Sequence, residues 1–237
     1  ITMAFSPVIT RLYGPEAFGL LGTFLALAAV LTPVSALSYP IAIVLPKADG
    51  DAKGIARLSI YISLILAATL TIAILAYGDR LLGLMGAEAI AAFALLIPLK
   101  ILFSAWMQIA QQWLIRKKQF QATAKVAVSQ AFAVNSAKAG IGWFHPVAGV
   151  LIVISSIGVA LHAAMLYIGA RATIREERFG IGEQPPTPLL QLARRYHDFP
   201  LYRAPQVFIN AVSQSLPVLL LAAFFGPASA GFYALCR

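Results

Sequence analysis

The segment "LLIPLKILFSAWMQIAQQWL", residues 95–114, is apolar over the length of a helix, yet it carries Lys100 near its middle. About 20 such residues suffice to cross the hydrocarbon core of a bilayer. A lysine at the centre of a spanning helix costs about 2.5–3.5 kcal/mol on insertion, so it normally faces the bundle interior or a water-filled cavity. The segment therefore predicts a membrane-spanning helix with one polar face.

The composition of the whole chain agrees with this interpretation. The 237 residues are 60% hydrophobic and 11% charged, with a mean hydropathy of +0.82, whereas soluble domains carry about 25% charged residues. Cys236 is the only cysteine, which excludes an intrachain disulfide framework and a cysteine-based metal site. We expect no metal site and no cofactor in this polytopic membrane protein.

Apolar segments of helical length recur along the chain, and we expect eight of them to be spans. The first is expected to lack its beginning and the last its end. The expected spans are residues 1–9, 17–45, 58–77, 89–115, 122–144, 146–170, 204–225 and 228–237. A membrane β-barrel would instead show alternating segments of about ten residues. The predicted fold class is an all-α, polytopic transmembrane helix bundle.

The positions of the basic residues predict the orientation of the spans. If the links alternate between outside and inside, thirteen basic residues are inside, and only Arg11 and Arg80 are outside. The thirteen inside residues are Lys47, Lys53, Arg57, Arg116, Lys117, Lys118, Lys125, Arg171, Arg175, Arg178, Arg194, Arg195 and Arg203. By the positive-inside rule this bias predicts a cytoplasmic N-terminus. The net charge of +9 is thus a topology signal rather than a nucleic-acid footprint, which would cluster on one face.

The longest link, residues 171–203, begins with a proline-rich break. The stretch "PLLQLARRYHDF" that follows has apolar residues on one side and basic residues among the others. It is either a short helix on the cytoplasmic membrane surface or an ordinary solvated linker.

Polar residues of the fourth span share a side with Lys100. Ser104, Gln108 and Gln111 follow at steps of four, four and three residues, the spacing of one helical face. Pro98 can open the backbone locally just before Lys100. These residues are candidates for lining a cavity.

The fifth and seventh spans carry similar polar groups. The fifth has Asn135, Ser136 and Lys138, and its glycines at 140 and 142 permit close packing or a break. The seventh has Gln206, Asn210, Ser213, Gln214 and Pro217 on one side. No acidic residue lies inside the fourth, fifth or seventh span, so two cationic lysines would attract an anion such as phosphate. Alternatively, the amides bond between helices, at about 0.6 kcal/mol each, and His162 is a packing residue.

The sequence lacks the common catalytic motifs. There is no G-x-x-x-x-G-K-[ST] phosphate loop, no His-Glu-x-x-His and no G-x-S-x-G, which argues against these routes of ATP or ester hydrolysis. The few acidic residues lie mostly in links, so they form no intramembrane carboxylate pair for acid–base work. We therefore expect no catalytic residue and no enzyme activity.

Three stretches carry a family resemblance. They are "TRLYGPEAFG" (10–19), "YPIAIVLPKADGDA" (39–52) and "DFPLYRAPQVFINAVSQSLPVLLLAAFFGPASAGFYAL" (198–235). Together they resemble the polysaccharide biosynthesis, or O-antigen-type flippase, family of the multidrug/oligosaccharidyl-lipid/polysaccharide exporter superfamily. The resemblance covers about a quarter of the chain, in the family's order and spacing.

The resemblance implies two pseudo-symmetric lobes around a central cavity. On this basis residues 1–170 are an N-terminal six-helix lobe with a truncated first helix, 171–203 a cytoplasmic linker, and 204–237 the truncated start of the C-terminal lobe. It also implies alternating access, in which polyprenyl-diphosphate-linked oligosaccharide crosses the bacterial cytoplasmic (inner) membrane for O-antigen, capsule or exopolysaccharide synthesis. Membrane lipids and a polysaccharide polymerase or glycosyltransferase are the implied partners, and no nucleic acid is.

The resemblance assigns roles to the polar residues. The candidate substrate-binding residues are Arg11, Lys100, Gln108, Gln111, Asn135, Lys138, Asn210 and Gln214. Arg11 either lines the outer mouth or anchors the chain at the interface, and Gly14, Pro15 and Gly19 shape the first loop. Broken helices suggest bending points for the transport cycle. The hinge candidates are Pro33, Pro40, Pro98 and Pro217.

Two other function classes remain open on the sequence. A multidrug exporter of the same superfamily would bind cationic drugs and usually carries acidic cavity residues, which this stretch of spans lacks. A non-transporting membrane scaffold would not need buried lysines.

Overall fold

The computed structural model describes residues 2–84, 88–177 and 187–236. These ranges contain helices and turns but no strand, which confirms the all-α fold class. The α-helices are α1 (Thr2–Leu31), α2 (Tyr39–Ala42), α3 (Asp49–Leu84), α4 (Leu96–Arg116), α5 (Phe120–Phe144), α6 (Ala148–Glu177), α7 (Leu189–Arg195) and α8 (Ala204–Cys236). A 3₁₀ helix covers Glu88–Phe93, and a π-helical turn covers Phe199–Arg203.

Helices α1 and α8 each contain one sharp break. Gly14 has φ 70° and ψ 169°, and Gly226 has φ 83° and ψ 171°. Only glycine adopts such a positive φ at little cost. The breaks fall where the first predicted span gives way to the second, and the seventh to the eighth, so these two boundaries are confirmed.

The second predicted span is shorter than expected. Helix α1 ends at Leu31, and residues 32–38 form turns before α2 begins. Pro33 cannot donate a helical hydrogen bond, and both Leu37 and Ser38 have positive φ. The hinge candidate Pro33 therefore lies at a break, while Pro40 lies in the first turn of α2.

The third and fourth predicted spans also have different limits. Helix α3 begins at Asp49, nine residues before the expected start at 58, and its 36 residues exceed the roughly 20 needed to cross the membrane. Helix α4 begins only at Leu96. Pro98 is thus the third residue of α4. The first four N–H groups of a helix have no partner within the helix, so the missing N–H of Pro98 removes no helical hydrogen bond. Lys100 lies in the second turn of α4 rather than at its middle.

Within the part of the chain that the structure describes, four helical segments are long and apolar enough to cross a membrane. They are Pro7–Leu31, Asp49–Gly78, Ala148–Arg171 and Phe199–Ala234. Helices α4 and α5 have 21 and 25 residues, so each is long enough to cross the hydrocarbon core. They are absent from this group because lysine and amide side chains reduce their hydropathy. The chain is a multi-pass membrane protein.

Buried side chains form two main clusters, one toward each end of the bundle. One joins α1, α4 and α6 around Leu21, Phe24, Ile97 and Leu151. The other consists of side chains from α2, α3, α4, α6 and α7, and it includes Ile43, Ile55, Leu114, Leu166 and Leu192. Helix α1 packs most extensively against α8, and α4 against α6.

The link between α6 and α8 contains the short helix α7, which is one of the two predicted alternatives. Leu192 is fully buried and lies against Gly54, where a Cβ atom would overlap Leu192 Cδ1. The Tyr39 hydroxyl donates a hydrogen bond to the carbonyl of Ala193 at 3.2 Å. Helix α7 is therefore docked onto α2 and α3, and its position on a membrane surface stays a prediction. Residues 178–186 of the link lie outside the described residues.

We expect Leu192→Ala to destabilise this end of the bundle by about 2–5 kcal/mol, the usual cost of truncating a fully buried leucine. The measurement is the apparent Tm of the detergent-purified, full-length protein. Leu190→Ala is the matched control on the same helix, because Leu190 is 66% exposed. Equal Tm values for the two variants would contradict the docking of α7.

Candidate functional site

Lys100 projects from α4 toward α1. Its ammonium nitrogen lies 5.6 Å from the centroid of the Phe24 ring, within the range of a cation–π contact. Phe24 is fully buried and Lys100 is half-buried. The aromatic face stabilises the ammonium group without neutralising its charge.

Lys138 lies on α5 beside the end of the first half of α1. The Tyr13 hydroxyl donates a hydrogen bond to the backbone carbonyl of Lys138 at 2.9 Å. The Tyr13 ring lies over Gly142, where a Cβ atom would come within 2.5 Å of ring atom Cε2. Gly142 thus permits the close packing that was predicted for it, and this packing fixes the position of Lys138 on the bundle.

Both lysines lie beside α1, Lys100 through its contact with Phe24 and Lys138 through the hydrogen bond from Tyr13 to its backbone. Neither makes an ion pair with a carboxylate of the described residues. Asp49 and Asp51, in the first turn of α3, pair with other groups. Both lysines are half-buried, and their binding of an anion stays a prediction.

The predicted amides near the lysines have different surroundings. Gln108 lines a small cleft between the turns at residues 32–38, α2, α4 and α8. The other residues that line it are Thr32, Pro33, Ser35, Ala36, Ser38, Ile41 and Val207. Asn135 is buried, and its Nδ2 donates to the carbonyl of Ala131 at 2.7 Å. Gln111 is half-buried on α4. Of these three, only Asn135 shares α5 with Lys138.

The remaining predicted site residues lie apart from the lysines. Arg11 is exposed near the break in α1. Asn210 and Gln214 are exposed on α8, where Gln214 Nε2 donates to Asn210 Oδ1 at 3.2 Å. Pro217 lies inside α8 without a break in the helix, and the backbone departs from helical geometry nine residues later, at Gly226. The roles of all these residues stay predictions.

A cluster that the sequence did not predict lies at the other end of α4. Arg116 Nε and Nη2 donate to Asp49 Oδ1 at 2.9 and 2.7 Å, and Lys117 Nζ lies 2.7 Å from Asp49 Oδ2. Arg116 also donates to four backbone carbonyls of the link between α2 and α3. These belong to Ile43, Val44, Pro46 and Lys47. We call Asp49, Arg116 and Lys117 the inner clamp.

Asp51 extends this polar network to α7. The Thr187 hydroxyl donates to Asp51 Oδ1 at 2.6 Å, and Arg195 Nη1 lies 3.9 Å from Asp51 Oδ2. The inner clamp and Asp51 together join the start of α3 to the end of α4 and to the link that precedes α8. These basic residues predicted only the orientation of the spans. In the structure they also bind separate segments to each other at the predicted cytoplasmic end.

Sequence reasoning missed the aromatic partners of the lysines. Phe24 is one apolar residue among many in its span and gave no signal. Tyr13 lies directly before the Gly14-Pro15 pair. A tyrosine hydroxyl at the end of a span usually has a hydrogen-bond partner, and this position could have indicated one. The described residues contain no group of three His, Cys, Asp or Glu side chains that would hold a metal ion.

The fold and the site together define a class of protein, a multi-pass helical bundle with two lysines inside it. The family model described as "Polysaccharide biosynthesis protein" matches residues 1–237. The chain belongs to this family, so the resemblance drawn from three stretches holds over the whole sequence. Among curated proteins and solved structures, no match was found.

Proposed function

We propose that this chain is part of a transporter that flips polyprenyl-diphosphate-linked oligosaccharide from the cytoplasmic to the outer leaflet of the bacterial inner membrane. Membership in a polysaccharide biosynthesis family gives the process. The several membrane-spanning helices give the setting. The transporter works by alternating access with its N-terminus in the cytoplasm, and it catalyses no covalent reaction.

The observation that carries the proposal is the pair of lysines without a carboxylate partner among the described residues. A diphosphate carries at least two negative charges and several strong acceptor oxygens, which suit two ammonium donors. The sugars of the cargo would bind the neighbouring amides such as Gln108 and Asn135, and the polyprenyl tail would stay in the lipid. Cationic drugs, the cargo of the rival exporter class, would be repelled from this site.

The test is deletion of the full-length gene in its host, followed by assay of the membrane face on which lipid-linked oligosaccharide accumulates. We expect accumulation on the cytoplasmic face and its reversal by the wild-type gene. A Lys125→Ala gene is the control for expression, because Lys125 is an exposed lysine near the predicted cytoplasmic end of α5. No accumulation, together with new sensitivity to cationic dyes, would instead indicate a multidrug exporter.

A further inference from the structure

The two breaks belong to a repeated sequence. "GPEAFG" (14–19) and "GPASAG" (226–231) both place proline after the first glycine and a second glycine five positions after the first. In both, the first glycine has a positive φ and ends one helical segment. The predicted role of Gly19 in shaping the first loop is therefore wrong, because Gly19 is helical and lies one turn beyond the break.

The two repeats pack against each other reciprocally. A Cβ atom on Gly19 would overlap the carbonyl oxygen of Pro227, and a Cβ atom on Gly231 would overlap the carbonyl oxygen of Pro15. Each glycine thus brings its Cα against the other repeat's backbone, as in the close helix contacts that small residues permit in membranes. Such Cα–H···O contacts are individually weak. We call Pro15, Gly19, Pro227 and Gly231 the outer seal.

The outer seal lies at the opposite end of α1 from the inner clamp. After its break at Gly14, helix α1 continues to Leu31, and the chain then passes through α2 to the link that Arg116 binds. By the predicted topology, the break at Gly14 is on the outer side. The two ends of the bundle are thus held by different forces, namely charged hydrogen bonds inside and close backbone packing outside.

The seal is also next to the lysine site. Phe24, the partner of Lys100, follows Gly19 by five residues, or about 7.5 Å along a helix. Between them Thr23 is buried, and its hydroxyl donates to the carbonyl of Gly19 at 2.9 Å. Any change that separates Gly19 from Pro227 would therefore expose the outer side of this site.

We infer that the outer seal closes the lysine site toward the outside, and that separation of the two glycine–proline repeats is the step that opens it. This inference rests on the proposed function only in that the chain is taken to be a transporter. The contact joins residues from the two predicted lobes, and only glycine fits at its two closest points.

The first test measures access to the seal without any cargo. In full-length protein with Cys236→Ser, Thr23→Cys reports access to a membrane-impermeant maleimide added from outside. Gly19→Ala inserts the Cβ that the seal excludes, so we expect labelling to rise several-fold. Gly169→Ala is the matched control, because a Cβ at Gly169 meets nothing within 4 Å. Equal labelling in both variants would overturn the inference.

The second test locks the seal instead of opening it, and it does not depend on how Gly19→Ala folds. A Cβ on Gly22 would lie 3.4 Å from the Cβ of Ala234, close to the Cβ separation of about 3.5–4.5 Å in disulfides. We expect the oxidised Gly22→Cys/Ala234→Cys protein to lose transport and to regain it on reduction. Full transport by the cross-linked protein would overturn the inference. If the wild type moves no lipid-linked oligosaccharide, the proposed function fails, and the labelling test still decides the seal.

Discussion

Lys100→Glu is expected to abolish rescue of the gene deletion. The substitution places a carboxylate beside Lys138, so the net charge of the pair changes from two positive charges to zero. Loss of one hydrogen bond to a charged group costs about 1.5–3 kcal/mol, and each 1.4 kcal/mol is about a tenfold change in affinity. We therefore expect loss of the Lys100 bond alone to weaken cargo binding by about 10–100-fold. The new negative charge adds repulsion to this loss.

Two further variants separate charge from structure in this prediction. Lys100→Arg keeps the positive charge and should retain part of the rescue, although Arg differs from Lys in shape and donor geometry. Lys125→Glu makes the same charge change at an exposed position of α5 and should rescue fully. Rescue by Lys100→Glu at the wild-type level, at equal expression, would show that the lysine pair does not hold the cargo.

Arg116→Ala is expected to cause the largest loss of stability among single substitutions at the inner clamp. The Arg116 side chain is 10% exposed and bonds Asp49 and the α2–α3 link. Breaking a buried ion pair costs about 3–5 kcal/mol. Because Asp49 is 36% exposed and keeps its contact with Lys117, we expect a smaller value of about 2–3 kcal/mol. The measurement is the apparent Tm of the full-length protein in detergent.

The control for this prediction is Lys125→Ala, which removes an exposed basic side chain from the same predicted end of the bundle. A double-mutant cycle with Asp49→Asn then isolates the pair from the carbonyl contacts. A Tm for Arg116→Ala within error of the control would mean that the cluster adds no stability.

The sequence was sufficient to predict the helical fold and to single out the two lysines as candidate site residues. Long apolar runs fix the class because only helices and closed barrels satisfy the backbone in lipid. Lys100 and Lys138 were conspicuous because charges inside spans are rare. The exact limits of the helices were predicted less well. The early start of α3 is accompanied by contacts between distant segments, such as that between Arg116 and the α2–α3 link.

Contacts between distant segments are what the sequence did not reveal. The partner of Lys100 is Phe24, 76 positions away and indistinguishable from other apolar residues of its span. The reciprocal packing of Gly19 and Gly231 needs both repeats to meet at the same end of the bundle. One motif alone predicts a turn and gives no indication of the helix against which it packs.

The lysine pair is tested most directly by equilibrium binding of farnesyl diphosphate, a short prenyl diphosphate, to the purified full-length protein. Wild type should bind it, and Lys100→Gln/Lys138→Gln should bind it at least about 100-fold more weakly, because two charged hydrogen bonds are lost. The apparent Tm of both proteins serves as the check on folding. Equal affinity in both folded proteins, or a wild type that binds a cationic dye and not the diphosphate, would contradict the assignment of this site to a diphosphate-linked cargo.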